Sequence, residues 1–178
     1  MSNRIIRKVA VLGSGVMGSR IACHFAGAGL QVLLLDMLAK GAEESTKPGE
    51  RNKLVNDALQ AALKSNPSPV FTKDVAKRIS TGNFTDNMKD IGGYDWVIEV
   101  VVERLDIKQQ IFTEVEKYRK PGTLITSNTS GIPIHLMAEG RSDDFKKHFC
   151  GTHFFNPPRY LRLLEIIPTK DTDAAVVD

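Results

Sequence analysis

Within the first 36 residues an apolar run, Val9–Leu12, leads into Gly13-Ser14-Gly15-Val16-Met17-Gly18, and that hexapeptide opens a stretch of helical periodicity. Met17, Ile21, Ala22, Phe25 and Ala28 recur at the spacing of one helix face, and Gly29 supplies a stop. A second apolar run, Val32–Leu35, ends at Asp36. Short apolar runs bounded by charge and glycine read as buried strands. Strand, tight turn, helix and strand in this order imply a parallel pair joined by a right-handed crossover.

Each glycine of the hexapeptide has a physical task. Gly13 allows the tight turn, Gly15 lets backbone approach a pyrophosphate, and Gly18 lets helix and strand pack closely. The helix start offers free N–H groups and a partial positive charge to an anion. Gly13, Ser14, Gly15, Val16, Met17 and Gly18 are therefore candidate cofactor contacts. Asp36 lies 23 residues after Gly13, where a carboxylate accepts hydrogen bonds from ribose hydroxyls and repels a 2′-phosphate. No arginine follows it; Met37 and Leu38 do, so the pattern predicts NAD rather than NADP. The expected architecture is a Rossmann-type, doubly wound α/β fold with a mostly parallel sheet.

The remaining 142 residues continue the same rhythm. Lys40–Pro69 is polar and broken by prolines, with an amphipathic helix predicted over Asn52–Leu63 and a weak strand over Arg78–Thr81. Tyr94–Val102 carries five β-branched residues and is the strongest strand signal, apolar but for Asp95 and Glu99. Asp106–Tyr118 reads as a helix ended by Pro121-Gly122, Leu124–Thr126 as a strand, and Pro133–Ala138 as a short helix. Cys150–Phe155 and Leu161–Ile167 read as two more strands joined through Asn156-Pro157-Pro158. Asp171–Asp178 reads as an N-cap and the first turn of a further helix. At 178 residues this is one domain, with enough chain to bury a core unaided by disulfides or metals.

Bulk properties exclude several classes of function. A net charge of +3 with scattered Lys and Arg gives no case for nucleic-acid binding. Cys23 and Cys150 match no zinc or redox spacing, and no metal-ligand pattern occurs among His, Cys, Asp and Glu, so no metal is expected. Met1–Lys8 carries three positive charges but no secretory apolar core, and no apolar stretch is long enough to span a bilayer. The default location is cytoplasmic. Glu165 stands alone in Leu163-Leu164-Glu165-Ile166-Ile167, where burying a carboxylate calls for a partner; His153 on the preceding strand is the candidate.

Four phrases, GSGVMG, EVVVERLDIK, SNTS and HFFNP, in that order, resemble the L-3-hydroxyacyl-coenzyme A dehydrogenase family, and the Lys40–Pro69 segment with the phrase SNTSGI looks most like its bacterial multifunctional branch. The resemblance covers nearly the whole chain and is weakest over Lys40–Pro69. It implies that His153 is the general base, that Glu165 orients it, and that Ser130 bonds the substrate oxygen beside the nicotinamide. It implies further cofactor contacts at Glu103, Lys108 and Asn156, residues that otherwise read as solvated charges and a turn. By the same token the substrate is an acyl-coenzyme A, oxidised in fatty-acid β-oxidation. A helical second domain of the family, which completes the pocket, supplies an asparagine and forms a homodimer, has no counterpart here, so the chain reads as a truncated piece. His24, His135 and His148 lack motif context and are taken as structural, and Arg20 stands where the family has a small residue. Two alternatives share the fold: a dehydrogenase of a small hydroxy or sugar acid, and a non-catalytic NAD-binding module.

Overall fold

The computed structural model describes residues 4–178, so Met1–Asn3 of the N-terminal segment lie outside the described residues. Seven strands form one sheet: β1 (Lys8–Leu12), β2 (Gln31–Asp36), β3 (Ile79–Asn83), β4 (Trp96–Glu99), β5 (Leu124–Ser127), β6 (Phe149–Phe154) and β7 (Leu164–Pro168). Their order is β3-β2-β1-β4-β5-β6-β7. The first six run parallel, and β7 returns antiparallel against β6. This is the doubly wound α/β architecture expected from the sequence, with its switch point between β1 and β4.

The helices are α1 (Val16–Gly27), α2 (Pro48–Arg51), α3 (Lys53–Leu63), α4 (Phe84–Asn87), α5 (Leu105–Tyr118), α6 (Ile134–Met137), α7 (Asp143–Lys147) and α8 (Ala174–Val177). Two 3-10 turns, Lys73–Arg78 and Met88–Gly93, precede β3 and β4. The central strands are apolar on both faces because both faces are covered. Val9 and Val11 of β1 join one core with Ile21, Phe25, Leu34 and Ile98. Ala10 and Leu12 join the other, around Phe112, Phe145 and Phe149. That two-sided burial explains why Val9–Leu12 reads as a continuous apolar run rather than an alternating one.

Two strands depart from expectation. β4 spans Trp96–Glu99 rather than Tyr94–Val102. The chain leaves the sheet there because the Val101 N–H turns back onto the Glu99 carboxylate, 2.6 Å away, instead of onto a neighbouring strand. β7 begins at Leu164 rather than Leu161, since the N–H groups of Tyr160 and Leu161 both bond the Pro157 carbonyl in a turn. β7 is moreover exposed along its whole length, with the Glu165 side chain 49% accessible. The expectation of a buried carboxylate at Glu165 is therefore corrected: an antiparallel edge strand leaves it half in solvent. The helix α7 had no apolar periodicity to announce it; Ser142 caps it, accepting the Phe145 N–H.

Candidate active site

The C-terminal ends of β1, β2, β4, β5 and β6 converge on one edge of the sheet, and the sequence-predicted residues collect there. Gly13 ends β1 with φ +108°, a left-handed conformation, and a Cβ on it would stand 2.6 Å from the Val100 carbonyl oxygen. A Cβ on Gly18 would stand 1.8 Å from the Gly13 carbonyl oxygen, so the turn closes only without one. At Gly15, by contrast, a Cβ would touch no protein atom. Gly15 is the N-cap of α1, with no side-chain cap and no acidic residue in the first turn. Its N–H groups therefore face an open cradle that an anion would fill, and this geometry fits a dinucleotide pyrophosphate.

Asp36, one residue past the β1–β2 register pair Leu12↔Leu35, turns back onto this loop. Its Oδ2 accepts both the Ser14 N–H and the Ser14 hydroxyl at 2.6 Å, and its Oδ1 accepts the Met37 N–H at 2.7 Å. The carboxylate is thus fixed beside the phosphate cradle, where ribose hydroxyls would arrive. Val16 is exposed at the loop tip and Met17 is partly buried, packed against the core. We expect NADH to bind more tightly than NADPH, and Asp36→Ala to weaken NADH and narrow that gap. Calorimetry with both cofactors decides it; equal or tighter NADPH binding would sink the claim.

Across the switch point, His153 of β6 and Glu165 of β7 are direct cross-strand partners. The His153 Nδ1 lies 2.7 Å from Glu165 Oε2, and its Nε2 lies 3.4 Å from the Ser130 hydroxyl. A carboxylate at Nδ1 assigns the hydrogen to that nitrogen and leaves the Nε2 lone pair directed at Ser130 and the open edge. The His153 ring also packs on Phe155, centroids 4.5 Å apart. Histidine, carboxylate and hydroxyl are in place for accepting and returning a proton.

Ser130 is held by the Glu103 carboxylate. Glu103 Oε1 accepts the Ser130 N–H at 3.1 Å, the Gly131 N–H at 3.2 Å and the Thr129 hydroxyl. Burial pushes the Glu103 carboxyl up, but these donors and the Lys108 ammonium outweigh it and hold it below its usual range. Lys108 requires a correction. Neither a solvated charge nor an accessible cofactor contact, its side chain has no exposed surface. The ammonium bonds Glu99 at 2.8 and 2.9 Å and lies 3.4 Å from Glu103. Burial dictates this, because an ammonium removed from water must be met by carboxylates. Asn156 is exposed, and its Oδ1 accepts a hydrogen bond from Arg20 at 2.8 Å, which accounts for the arginine in place of a small residue.

Sequence reasoning missed Glu99, Asn128 and Thr129 as parts of the site. Glu99 was within reach: of the two carboxylates in the strongest strand signal of the chain, it is the one with aliphatic residues on both sides. Asn128 and Thr129 carry no signal beyond that of turn formers. Among the other histidines, His24 packs against Phe25 and Phe154, and burial followed by the Arg159 charge lowers its pKa. His148 Nδ1 lies 2.8 Å from the Asp144 carbonyl oxygen, and His135 is exposed on α6. Among the described residues no helix is long and apolar enough to cross a membrane.

Residues 8–178 match the family described as 3-hydroxyacyl-CoA dehydrogenase, NAD binding domain. A probable 3-hydroxyacyl-CoA dehydrogenase of Bacillus subtilis is 50% identical over 97% of this chain and 23% of its own length. One of Deinococcus radiodurans is 48% identical over 97% of this chain and 48% of its own. Among solved structures, the 3-hydroxybutyryl-CoA dehydrogenase of Escherichia coli superposes with a TM-score of 0.73 at 31% identity, covering 97% of this chain and 34% of that one. The chain thus spans between about a quarter and about half the length of these curated relatives. With the cradle at Gly15, the carboxylate at Asp36 and a match over nearly every residue, the chain belongs to the 3-hydroxyacyl-CoA dehydrogenase family and corresponds to its NAD-binding domain.

Proposed function

We propose that this protein interconverts L-3-hydroxyacyl-CoA and 3-ketoacyl-CoA in fatty-acid β-oxidation, and that these residues are the cofactor-binding half of a longer enzyme. The observation that carries the reading is the Ser130–His153–Glu165 array on the same sheet edge as the glycine loop. In the oxidative direction His153 Nε2 takes the proton of the substrate 3-hydroxyl. Glu165 stabilises the imidazolium through the hydrogen bond at Nδ1, as carboxylates do for histidine bases elsewhere. Ser130 sits within reach of the same oxygen and orients it. NAD, when bound, supplies the acceptor for the hydride that leaves C3. Gly13, Ser14, Gly15, Val16, Met17, Gly18 and Asp36 would hold its pyrophosphate and adenosine side, and Asn156 and Glu103 would serve its nicotinamide side.

The test is steady-state oxidation of NADH with acetoacetyl-CoA, run beside free acetoacetate. Preference for the thioester supports the acyl-CoA reading, and equal use of both points to a small hydroxy-acid enzyme. The 178-residue chain by itself is expected to bind NADH yet to turn over acetoacetyl-CoA at no more than about a hundredth of the rate of the full-length protein. Half-exposed Glu165 and the bare β7 leave the reacting groups open to water, and such a cleft does not hold a near-attack geometry. A comparable rate in the two would mean that this edge needs no cover.

A further inference from the structure

Glu99 is the one wholly buried carboxylate among the described residues, and nothing in the proposed chemistry touches it. It accepts two hydrogen bonds from Lys108, one from the Ser127 hydroxyl and one from the Val101 N–H. Burial holds the Glu99 carboxyl above its ordinary range, with the ammonium, the hydroxyl and the amide pulling the other way. Stability is a weak reason for such a pair, since well-packed apolar residues of similar volume serve a core equally well or better. What apolar residues cannot supply is an ammonium fixed beneath Glu103.

The contacts run on from there without a gap. Lys108 Nζ reaches Glu103 Oε2 at 3.4 Å, and Glu103 Oε1 accepts the Ser130 and Gly131 N–H groups and the Thr129 hydroxyl, holding the loop on which Ser130 stands. A second line starts from the Glu99 backbone: its carbonyl accepts the Asn128 N–H at 2.8 Å, and Asn128 Oδ1 accepts the Phe154 N–H at 2.9 Å, next to His153. Of the two carboxylates on Lys108, Glu99 is the nearer and accepts with both oxygens. With Glu99 neutral, the buried ammonium has only Glu103 to answer it and would draw that carboxylate off the Ser130 loop.

We infer that Glu99 is a positioning residue: it pins the Lys108 ammonium beneath Glu103, and the anchored Glu103 holds the Ser130 loop at its distance from His153. The inference rests on the reading of His153 as the proton acceptor, and the experiment separates the two. In full-length protein labelled with 15N-histidine, the His153 Nε2 resonance is assigned by its loss in His153→Gln. Glu99→Gln is expected to shift that resonance and to lower kcat for acetoacetyl-CoA reduction about tenfold to a hundredfold. KM for acetoacetyl-CoA should stay within about twofold, as expected when orientation rather than binding is lost. A second variant, Glu99→Met with Lys108→Met, removes both charges and restores an apolar core; it should regain thermal stability and remain slow, because Glu103 has lost its anchor. An unmoved resonance in Glu99→Gln, or wild-type kcat in either variant, overturns the inference. If the unsubstituted protein fails to reduce acetoacetyl-CoA, the proposed function falls and the resonance alone decides the role of Glu99.

Discussion

His153→Ala is expected to lower kcat for acetoacetyl-CoA reduction in the full-length protein at least about a hundredfold, the ordinary scale of a lost general acid–base. NADH affinity should be retained, because the cradle at Gly15 and the carboxylate of Asp36 stand on other strands. Glu165→Ala alone should cost less than His153→Ala, and adding it to His153→Ala should cost little more. Glu165 acts through the Nδ1 hydrogen bond, and with the imidazole gone it has nothing to orient. Rates measured on the two single variants and the double variant give the answer. Multiplicative losses would show that the two side chains serve separate steps, and the pairing would carry no catalytic meaning.

The second large effect separates two glycines of one loop. Gly18→Ala forces a methyl group to 1.8 Å from the Gly13 carbonyl oxygen, which is backbone and cannot turn aside. Overpacking of this kind should destabilise the fold by at least about 2 kcal/mol. For a chain of this size that lowers Tm by about 4–8 °C, and NADH binding should be lost with the turn. Gly15→Ala meets no atom and lies at φ −57°, where alanine fits. Its stability should change by less than about 1 kcal/mol, while NADH affinity falls at least about tenfold because the methyl group occupies the cradle. Thermal melts with NADH titrations on both variants test the contrast. Equal Tm losses would mean that the loop, rather than the empty space before α1, dictates glycine at position 15.

Legibility in the sequence followed the locality of the physics. The strand–turn–helix unit and Asp36 were readable because glycine geometry and apolar runs are written in neighbouring residues. The His153–Glu165 pair was foreseen, though the argument from burial was misplaced: the premise fits Glu99, which is buried, and not Glu165, which stands half in solvent. Lys108 was misread for a related reason. Seen along the chain it opens α5 as a surface charge would, and only the packing of α5 against the sheet shows that its ammonium lies between two carboxylates. The ends of β4 and β7 depended on one side-chain bond and one turn, neither of which leaves a periodic mark.

Antiparallel pairing between β6 and β7 sets His153 directly opposite Glu165, and strand neighbours alternate faces. A slip of one residue in that ladder would place Leu164 or Ile166 across from His153 and send the carboxylate to the opposite side of the sheet. β1, β2 and β4, at whose ends the dinucleotide cradle lies, take no part in that register. Changes in the length of the Pro157–Leu163 connection are therefore expected to shift the His153–Glu165 pairing while leaving the cradle at Gly15 and Asp36 in place, a mutational handle on one edge of the sheet that spares the other.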